Sequence, residues 1–209
     1  MEINITAIVA GSDEDVCVSF ELVEGENRSR SRFWLPLSVF ARLSLTVGTS
    51  SQNVYDTVEL ESKIFYAYKK ALYLLSFGMQ SRKTLQKKLV MRGCEAEIVC
   101  IAIDRLVESR LLIEEDSAVR EAEKCAEKLW GETRIRAHLV SKGYGEAEIK
   151  KAFFGLEDNG VDFSFNCSKL IKKKYLPLPK DKKEMQKIIA ALLRYGYSMS
   201  QIKSALLEQ

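Results

Sequence analysis

The stretch Leu85–Gly93, LQKKLVMRG, contains the pattern that decides the fold. Its two leucines are four residues apart, which places them on one face of a helix, and its final glycine is a typical C-terminal stop. The same pattern returns as IRAHLVSKG in Ile135–Gly143 and as IIAALLRYG in Ile188–Gly196. A pattern that recurs with the same internal offsets indicates a structural repeat.

The likeness between the three copies extends beyond these stretches. Five or six residues after each glycine stands an isoleucine (Ile98, Ile149 or Ile202), and apolar residues follow it three and four positions later. An apolar stripe of helical period also lies upstream of each copy, within residues 64–77, 117–131 and 166–176. Each unit is therefore predicted to contain three helices.

Three consecutive units of this kind account for most of the chain. We expect repeats at residues 54–115, 116–163 and 164–209. Because the apolar face of one three-helix unit is too wide to be buried alone, neighbouring units are expected to stack into an elongated, curved array. The predicted fold class is mainly α, and arrays of this sort most often bind extended partners.

Residues 1–53 follow a different pattern and are expected to form a small β-rich domain. Residues 3–10 and 16–25 are β-branched, partly alternating and separated by turn residues, which predicts two strands. The polar stretch that begins at residue 26 is expected to lead into a third extended piece at 32–36 or to form a long hairpin turn. A short helix within 35–45 and a break at about residues 46–53 complete this part.

Composition limits the possible classes of protein. The chain has 209 residues, of which 46% are apolar and 29% charged, as in an ordinary globular protein. No run approaches the roughly 20 apolar residues of a membrane helix, and the N-terminus lacks a basic signal-peptide region. Five cysteines without a CxxC spacing indicate free thiols. We therefore expect a cytoplasmic protein that does not associate with membranes.

Charge is distributed unevenly along the chain. The net charge is −5 over residues 1–60, +3 over 61–115, −2 over 116–163 and +7 over 164–209. An acidic front and a basic back favour a polyanion or an acidic protein as partner. A solvated, lysine-rich helical face is the simpler interpretation of any one segment.

Cations of the three repeats are the candidate contacts with a partner or with DNA. They are Lys83, Lys87, Lys88 and Arg92 in the first repeat, Arg134, Arg136 and Lys142 in the second, and Lys169, Lys172, Lys173, Lys174, Lys180, Lys182, Lys183 and Lys187 in the third. In the first repeat the lysines fall mainly outside the leucine stripe. The alternative is a solvated face with favourable charge near helix C-termini.

The cations of the third repeat form the strongest basic run, interrupted only by Asp181 and Glu184. Such a run can neutralise several phosphates, and binding through it would weaken steeply with salt. It can equally meet an acidic protein surface. Three tyrosines of the same repeat could stack on bases, although helical spacing favours core packing for at least one of them; they are Tyr175, Tyr195 and Tyr197.

The sequence offers few groups for catalysis or metal binding. His138 is the only histidine and has no Ser, Asp or Cys partner at a recognisable spacing, so a surface or boundary position is expected. Glu114, Glu115 and Asp116 are interpreted as a polar loop and N-cap region rather than as a metal cluster. Trp34 and Trp130 are expected in the core or at repeat junctions. We predict no catalytic residue, no metal ligand and no cofactor.

Three pieces of the sequence have a combination of features that is found in a known family. They are ALYLLSFGMQSRKTLQKKLVMRG at 71–93, IVCIAIDRLVES at 98–109 and GETRIRAHLVSKGYGEAEIKKAF at 131–153. These pieces resemble the RecX family of recombination regulators. The resemblance covers about residues 54–209 and implies three tandem three-helix repeats, often preceded by a β-rich extension. It also implies binding to the filament of the RecA recombinase in its deep groove, limited filament growth, and inhibition of strand exchange and ATP hydrolysis. Some members also bind DNA.

The sequence departs from the family pattern at several positions. Residues 77–80, FGMQ, stand where arginines are usual, and Arg110 occupies a position at which the family has glycine. The acidic segment at 114–119, EEDSAV, lacks the usual aromatic residue. The resemblance therefore identifies the chain as a divergent member.

Three other hypotheses stay open at this point. The first is a helical DNA- or RNA-binding protein that acts independently of RecA and binds DNA with a steep salt dependence. The second is an enzyme with a site assembled only in space. The third is a general protein-interaction scaffold. The leading hypothesis is a monomeric non-enzyme that binds the RecA filament and, in addition, single- or double-stranded DNA.

Overall fold

The computed structural model describes residues 1–12 and 14–207. Its strands are Glu2–Ala10 (β1), Asp15–Glu24 (β2), Asn27–Pro36 (β3) and Gly48–Ser50 (β4). Its helices are Leu37–Leu43 (α1), Gln52–Ser76 (α2), Arg82–Met91 (α3), Ala96–Glu108 (α4), Glu114–Glu127 (α5), Glu132–Lys142 (α6), Glu146–Asp158 (α7), Phe163–Lys174 (α8), Lys182–Arg194 (α9) and Met199–Leu207 (α10). The prediction of a mainly helical chain behind a small β-rich part is confirmed. No helix in the described ranges is both long and apolar enough to cross a membrane.

The four strands form one antiparallel sheet in the order β3-β2-β1-β4, with a bulge in β1 between Ile5 and Ala7. Apolar side chains of alternating strand positions are buried on one face. There Phe20, Phe33 and Tyr55 meet edge to face, with ring centroids 5.1–5.8 Å apart. Because Tyr55 belongs to α2, this aromatic cluster fixes α2 against the sheet.

The third extended piece expected at 32–36 is confirmed, and it begins earlier than predicted, because the whole of Asn27–Pro36 is strand β3. The alternative of a long hairpin turn is wrong: the turn consists of Gly25, with φ 61°, and Glu26. Hydrogen bonding to β2 holds the polar residues 27–32 of this strand without burial, and the Arg30 guanidinium lies 3.0 Å from the Glu21 carboxylate. Within the predicted break, Gly48–Ser50 pairs with β1 as an edge strand.

The helices after residue 51 keep the repeating pattern read from the sequence. Leu85, Leu89, Ile135, Leu139 and Leu192 are fully buried, and Ile188 is 9% exposed. The stop glycines of the three copies have φ of 83°, 89° and 94° at Gly93, Gly143 and Gly196. Each ends its helix with the same pair of backbone hydrogen bonds, in which two successive amides donate to carbonyls of the last turn.

By internal packing, the chain divides into two compact units. One consists of Met1–Gly78 with Gln86–Leu111, and the other of Met79–Leu85 with Leu112–Gln209. The two units share α3, whose first residues belong to the second unit. The predicted boundaries after residues 53, 115 and 163 stay predictions.

Candidate functional site

The basic run of the third repeat lies on α8, on α9 and on the segment between them. Helix α8 buries Cys167, Leu170 and Ile171, which turns the neighbouring lysines away from the core. Helix α9 begins after Asp181, whose carboxylate accepts a hydrogen bond from the Glu184 amide at 3.1 Å. All eight lysines of the run are exposed: Lys169, Lys172, Lys173, Lys174, Lys180, Lys182, Lys183 and Lys187.

Carboxylates of the described residues do not neutralise these lysines. Within residues 1–12 and 14–207, none of the eight forms an ion pair with a carboxylate. Lys174 donates a hydrogen bond to the Tyr195 hydroxyl, and this bond raises the pKa of Lys174 and lowers the pKa of Tyr195. Three lysines in the last turn of α8 also complement the negative end of the helix dipole. The result is an exposed surface of uncompensated positive charge.

The cations of α3 are held in two different ways. Lys87 and Lys88 are exposed and form no ion pair within the described part of the chain, and Arg92 is exposed next to the stop glycine. The alkyl stem of Lys83 lies over Gly143 so closely that a Cβ on this glycine would collide with it. Lys83 therefore has a packing role in addition to its charge, whereas Lys87 and Lys88 have only a solvent-facing position.

Both arginines of the second repeat are engaged by other side chains of the protein. The Arg134 guanidinium lies 4.0 Å from the ring centroid of Trp130 and 5.2 Å from that of Tyr195. Arg136 pairs with the Glu146 carboxylate at 3.0 Å and lies 5.0 Å from the Phe153 ring. These contacts leave both arginines less available to a partner than the lysines of the other two repeats.

Lys142 is half-buried and its backbone is part of a junction between elements. Its carbonyl oxygen accepts hydrogen bonds from the hydroxyls of Ser81 and Thr84, the latter at 3.2 Å. The Ser81 hydroxyl also accepts a hydrogen bond from the Thr84 amide at 3.1 Å and so caps the N-terminus of α3. Lys142 thus belongs to a packed joint rather than to an open basic surface.

The tryptophans lie in unlike environments. Trp130 is half-buried and packs against the core of the second repeat, as predicted. The core position predicted for Trp34 is wrong, because its side chain is 47% exposed on the outer face of β3. It lines a cleft of about 380 Å³ together with Asp15, Phe65 and Tyr66, in which Lys69 Nζ lies 3.0 Å from Asp15 Oδ2.

The acidic residues expected in a polar loop and N-cap region lie at the N-terminus of helix α5, so the loop is wrong and the helix N-terminus is confirmed. Glu114, Glu115 and Asp116 are its first turn, where negative charge is favourable. The Glu114 carboxylate accepts a hydrogen bond from the Arg82 amide at 3.0 Å, and Glu115 pairs with Lys151. Their roles are therefore capping and pairing.

His138 lies at a boundary, as predicted, but it has neighbours that the spacing did not reveal. Its Nε2 is 2.7 Å from Glu121 Oε1, and both side chains are 24% exposed. Burial raises the pKa of Glu121, but the hydrogen bond with His138 and the charges of Lys142 and Lys124 outweigh it and lower that pKa. Cys125, one turn after Glu121 on α5, completes a group whose ligand atoms lie within 4.8 Å of one another.

Comparison with known proteins agrees with this architecture. The family description "RecX, first three-helix domain" matches residues 67–106, and "RecX, third three-helix domain" matches residues 166–206. The regulatory protein RecX of Pseudomonas savastanoi pv. phaseolicola is 32% identical over 133 residues, which are 63% of this chain and 84% of the relative. The chain belongs to the RecX family. A RecX protein of Xanthomonas axonopodis pv. citri is 29% identical over 65% of this chain and 83% of its own length.

Solved RecX structures have the same fold. The crystal structure of a regulatory protein RecX superposes with a TM-score of 0.75 and 22% identity over 96% of this chain and 98% of its own. RecX from Lactobacillus salivarius superposes with a TM-score of 0.59 and 21% identity over 70% of this chain and 96% of its own. The RecX relatives are named as regulatory proteins, and the predicted fold class of three-helix repeats behind a small sheet is that of the RecX family.

Proposed function

We propose that this chain regulates homologous recombination and DNA repair by binding the filament of the RecA recombinase. Occupying the groove of the filament would inhibit ATP hydrolysis and strand exchange. The observation that carries the proposal is the exposed lysine run of α8 and α9, which has no internal counter-charge in the described residues of a RecX family member. We further propose that the chain acts as a cytoplasmic monomer, without a catalytic site, and with its repeats divided at residues 115 and 163.

The mechanism is steric and electrostatic. Each lysine–carboxylate or lysine–phosphate contact at an exposed surface contributes about 0.2–1 kcal/mol, and salt screens it. Many such contacts over consecutive repeats add up to useful affinity and set the orientation of the partner. A protein held along the groove in this way would exclude a second DNA duplex and would bias the filament towards one conformation.

The different environments of the cations support a division of labour. Lys172, Lys173 and the lysines of α9 face solvent without ion pairs in the described chain, and so do Lys87 and Lys88 on α3. Arg134 and Arg136 instead contact aromatic rings and a carboxylate of their own repeat. We therefore assign the partner-binding role to the first and third repeats and a structural role to the arginines of the second.

The second candidate is a helical DNA-binding protein that acts without RecA. The same lysine run favours it, because uncompensated lysines on one repeat can neutralise phosphates. Stacking on bases is a poor explanation for the tyrosines, since Tyr197 is 2% exposed and Tyr195 is engaged by Lys174 and Arg134. A DNA complex of this kind would rest on backbone contacts and would have little sequence preference.

Co-sedimentation with RecA filaments on single-stranded DNA, alongside binding to the same DNA alone, distinguishes the candidates. Wild-type protein should sediment with the filament at salt concentrations where it no longer binds bare DNA. The triple charge reversal Lys172→Glu, Lys173→Glu, Lys174→Glu should weaken filament binding by about tenfold or more.

A matched control changes charge by the same amount outside the run. Arg28→Glu, Arg32→Glu and Arg120→Glu replace exposed arginines of β3 and α5 that form no ion pair within the described ranges. Filament binding by this control should stay near that of wild type. Equal loss in both triple variants would mean that net charge, and not the lysine run, governs binding.

A further inference from the structure

Helices α5 and α6 bring together three side chains whose spacing in the sequence does not match the usual spacings of metal ligands. Glu121 and Cys125 are four residues apart on α5, and His138 lies on the facing side of α6. One carboxylate oxygen, the thiol sulfur and a ring nitrogen all lie within 4.8 Å of one another, and His138 Nε2 is 2.7 Å from Glu121 Oε1. Thiolate, imidazole and carboxylate together form a ligand set of the kind that binds zinc.

We propose that Glu121, Cys125 and His138 bind one Zn²⁺ ion. In a tetrahedral site, zinc bonds of about 2.0–2.3 Å separate the ligand atoms by about 3.3–3.6 Å. The three ligand atoms already lie within 4.8 Å of one another, so small side-chain rotations bring them to that range. A water molecule takes the fourth position, as in other zinc sites with three protein ligands.

The site is buried at one end and open to solvent at the other, so an ion could enter it and be held there. Cys125 is 1% exposed at the inner end, whereas the Glu121 and His138 side chains are each 24% exposed. The His138 ring meets the Trp130 ring edge to face at 5.3 Å, which restricts the orientation of the imidazole. The ion would enter from the side of the carboxylate and the imidazole and would meet the sulfur last.

Charge balance at the site is favourable when the metal is bound. As the zinc–sulfur bond forms, the Cys125 thiol gives its proton to the buffer, and His138 binds through neutral Nε2 in place of its hydrogen bond to Glu121. One thiolate and one carboxylate then neutralise the ion. Lys124, Lys128, Arg134 and Lys142 act electrostatically on the same groups. These cations favour the charged forms of Cys125 and Glu121 but repel the metal ion. Binding of the ion therefore needs the negative charges of both ligands.

A metal at this position would clamp α5 to α6 within the second repeat. Because the ligands are correctly placed only in the folded chain, binding would stabilise the fold in proportion to the logarithm of the zinc concentration above Kd. This inference is independent of RecA and of the lysine run. The competing explanation is a His138–Glu121 hydrogen bond beside an inert core cysteine.

Titration of the metal-free, reduced full chain with Co²⁺ tests the inference, because cobalt reports its ligands in the absorption spectrum. We expect one Co²⁺ per chain, visible bands typical of tetrahedral cobalt, a thiolate-to-cobalt charge-transfer band, and displacement by one equivalent of Zn²⁺. Wild-type protein without the charge-transfer band, or with cobalt bound only in the octahedral manner, would overturn the proposal.

Variants of two ligands identify the site. If one variant folds poorly, the other still tests the proposal. Cys125→Ser should abolish the charge-transfer band, and His138→Gln should raise the Kd for cobalt by at least about tenfold. Matched controls are Cys100→Ser, which removes an exposed thiol, and Cys167→Ser, which removes a buried thiol of α8; neither should change the spectrum. Circular dichroism confirms folding, and an unchanged spectrum in folded His138→Gln would overturn the proposal.

Discussion

The backbone of Gly131 packs directly against the backbone of Gly196. The Gly131 amide donates to the Tyr195 carbonyl at 2.8 Å, and the Thr133 amide donates to the Gly196 carbonyl at 3.2 Å. A Cβ on Gly131 would overlap the Gly196 carbonyl group. The start of α6 thus meets the end of α9 at a distance that only glycines permit.

The start of α3 makes the equivalent joint with the end of α6. There the hydroxyls of Ser81 and Thr84 bind the Lys142 carbonyl, and the stem of Lys83 covers Gly143. In both joints the first turn of a middle helix meets the stop glycine of the next middle helix. Two of the three stop glycines that revealed the repeats in the sequence, Gly143 and Gly196, therefore also lie in contacts between the middle helices.

Gly131→Ala should destabilise the protein by about 1–3 kcal/mol, because the added methyl group has no space against backbone atoms. Gly145→Ala is a matched control: both glycines are N-caps in nearly the same conformation, with φ of −81° and −80°. At Gly145 the nearest obstacle is the mobile carboxylate of Glu148, so the change should cost less than about 0.5 kcal/mol. Urea unfolding followed by circular dichroism measures both, and equal effects would contradict the joint.

Arg110→Gly should stabilise the protein by about 0.5–1 kcal/mol. Arg110 ends α4 with φ 55°, a left-handed conformation that costs about 1–2 kcal/mol for a residue with a Cβ and is partly offset by the greater chain entropy of glycine. The equivalent residue after α7 is Gly160, with φ 72°. Arg110→Ala retains the Cβ and should bring no such gain. A higher urea midpoint for Arg110→Ala than for Arg110→Gly would contradict this explanation.

Glu61→Gln should destabilise the first unit by about 2–4 kcal/mol at neutral pH, because it removes the partner of two arginines. Glu61 is 7% exposed and accepts hydrogen bonds from Arg42 at 2.8 Å and Arg105 at 2.9 and 3.1 Å. The loss is smaller than for a fully buried pair because the Arg42 side chain is 63% exposed. The control Glu59→Gln breaks an exposed pair with Lys63 on the same helix and should cost less than about 0.5 kcal/mol.

The stabilisation by Glu61 should also depend on pH. Burial works to raise its pKa, but hydrogen bonds and charges from Arg105 and Arg42 prevail and lower it below 4.5. The contribution is therefore complete above the ordinary pKa and is lost as pH falls through the lowered one. The difference in unfolding free energy between wild type and Glu61→Gln should be constant from pH 7 to 6 and should shrink below pH 4.5. A difference that grows in acid would contradict this assignment.

The repeats could be predicted because helical period and glycine stops are local signals. Leu85, Leu89 and Gly93 carry the same structural roles as their counterparts in the later copies. The first part of strand β3 was harder to predict, because Arg28, Arg30 and Arg32 are exposed and hydrogen bonds to β2 hold this part without buried apolar side chains. Trp34 was expected in the core, but strand alternation places it on the same face as these arginines.

The candidate sites differ in how far they could be predicted from the sequence. The lysine run of α8 and α9 is local in the sequence, within residues 169–187, so its exposure follows from the apolar stripe between its members. The internal contacts of Arg134 and Arg136 depend on rings and carboxylates from other turns and had no sequence signal. The group around His138 had only a partial sequence signal, since the spacing of Glu121 and Cys125 places both on one face of a helix. Only the packing of α6 supplies the histidine.

ATP hydrolysis by RecA on single-stranded DNA, with this protein added in substoichiometric amounts, tests the central claim most directly. Binding along the filament groove predicts that hydrolysis falls well before one copy per RecA subunit is reached. The Lys172→Glu, Lys173→Glu, Lys174→Glu variant should require about tenfold more protein for the same inhibition. Unchanged hydrolysis, together with no co-sedimentation of wild-type protein with the filament, would contradict the claim.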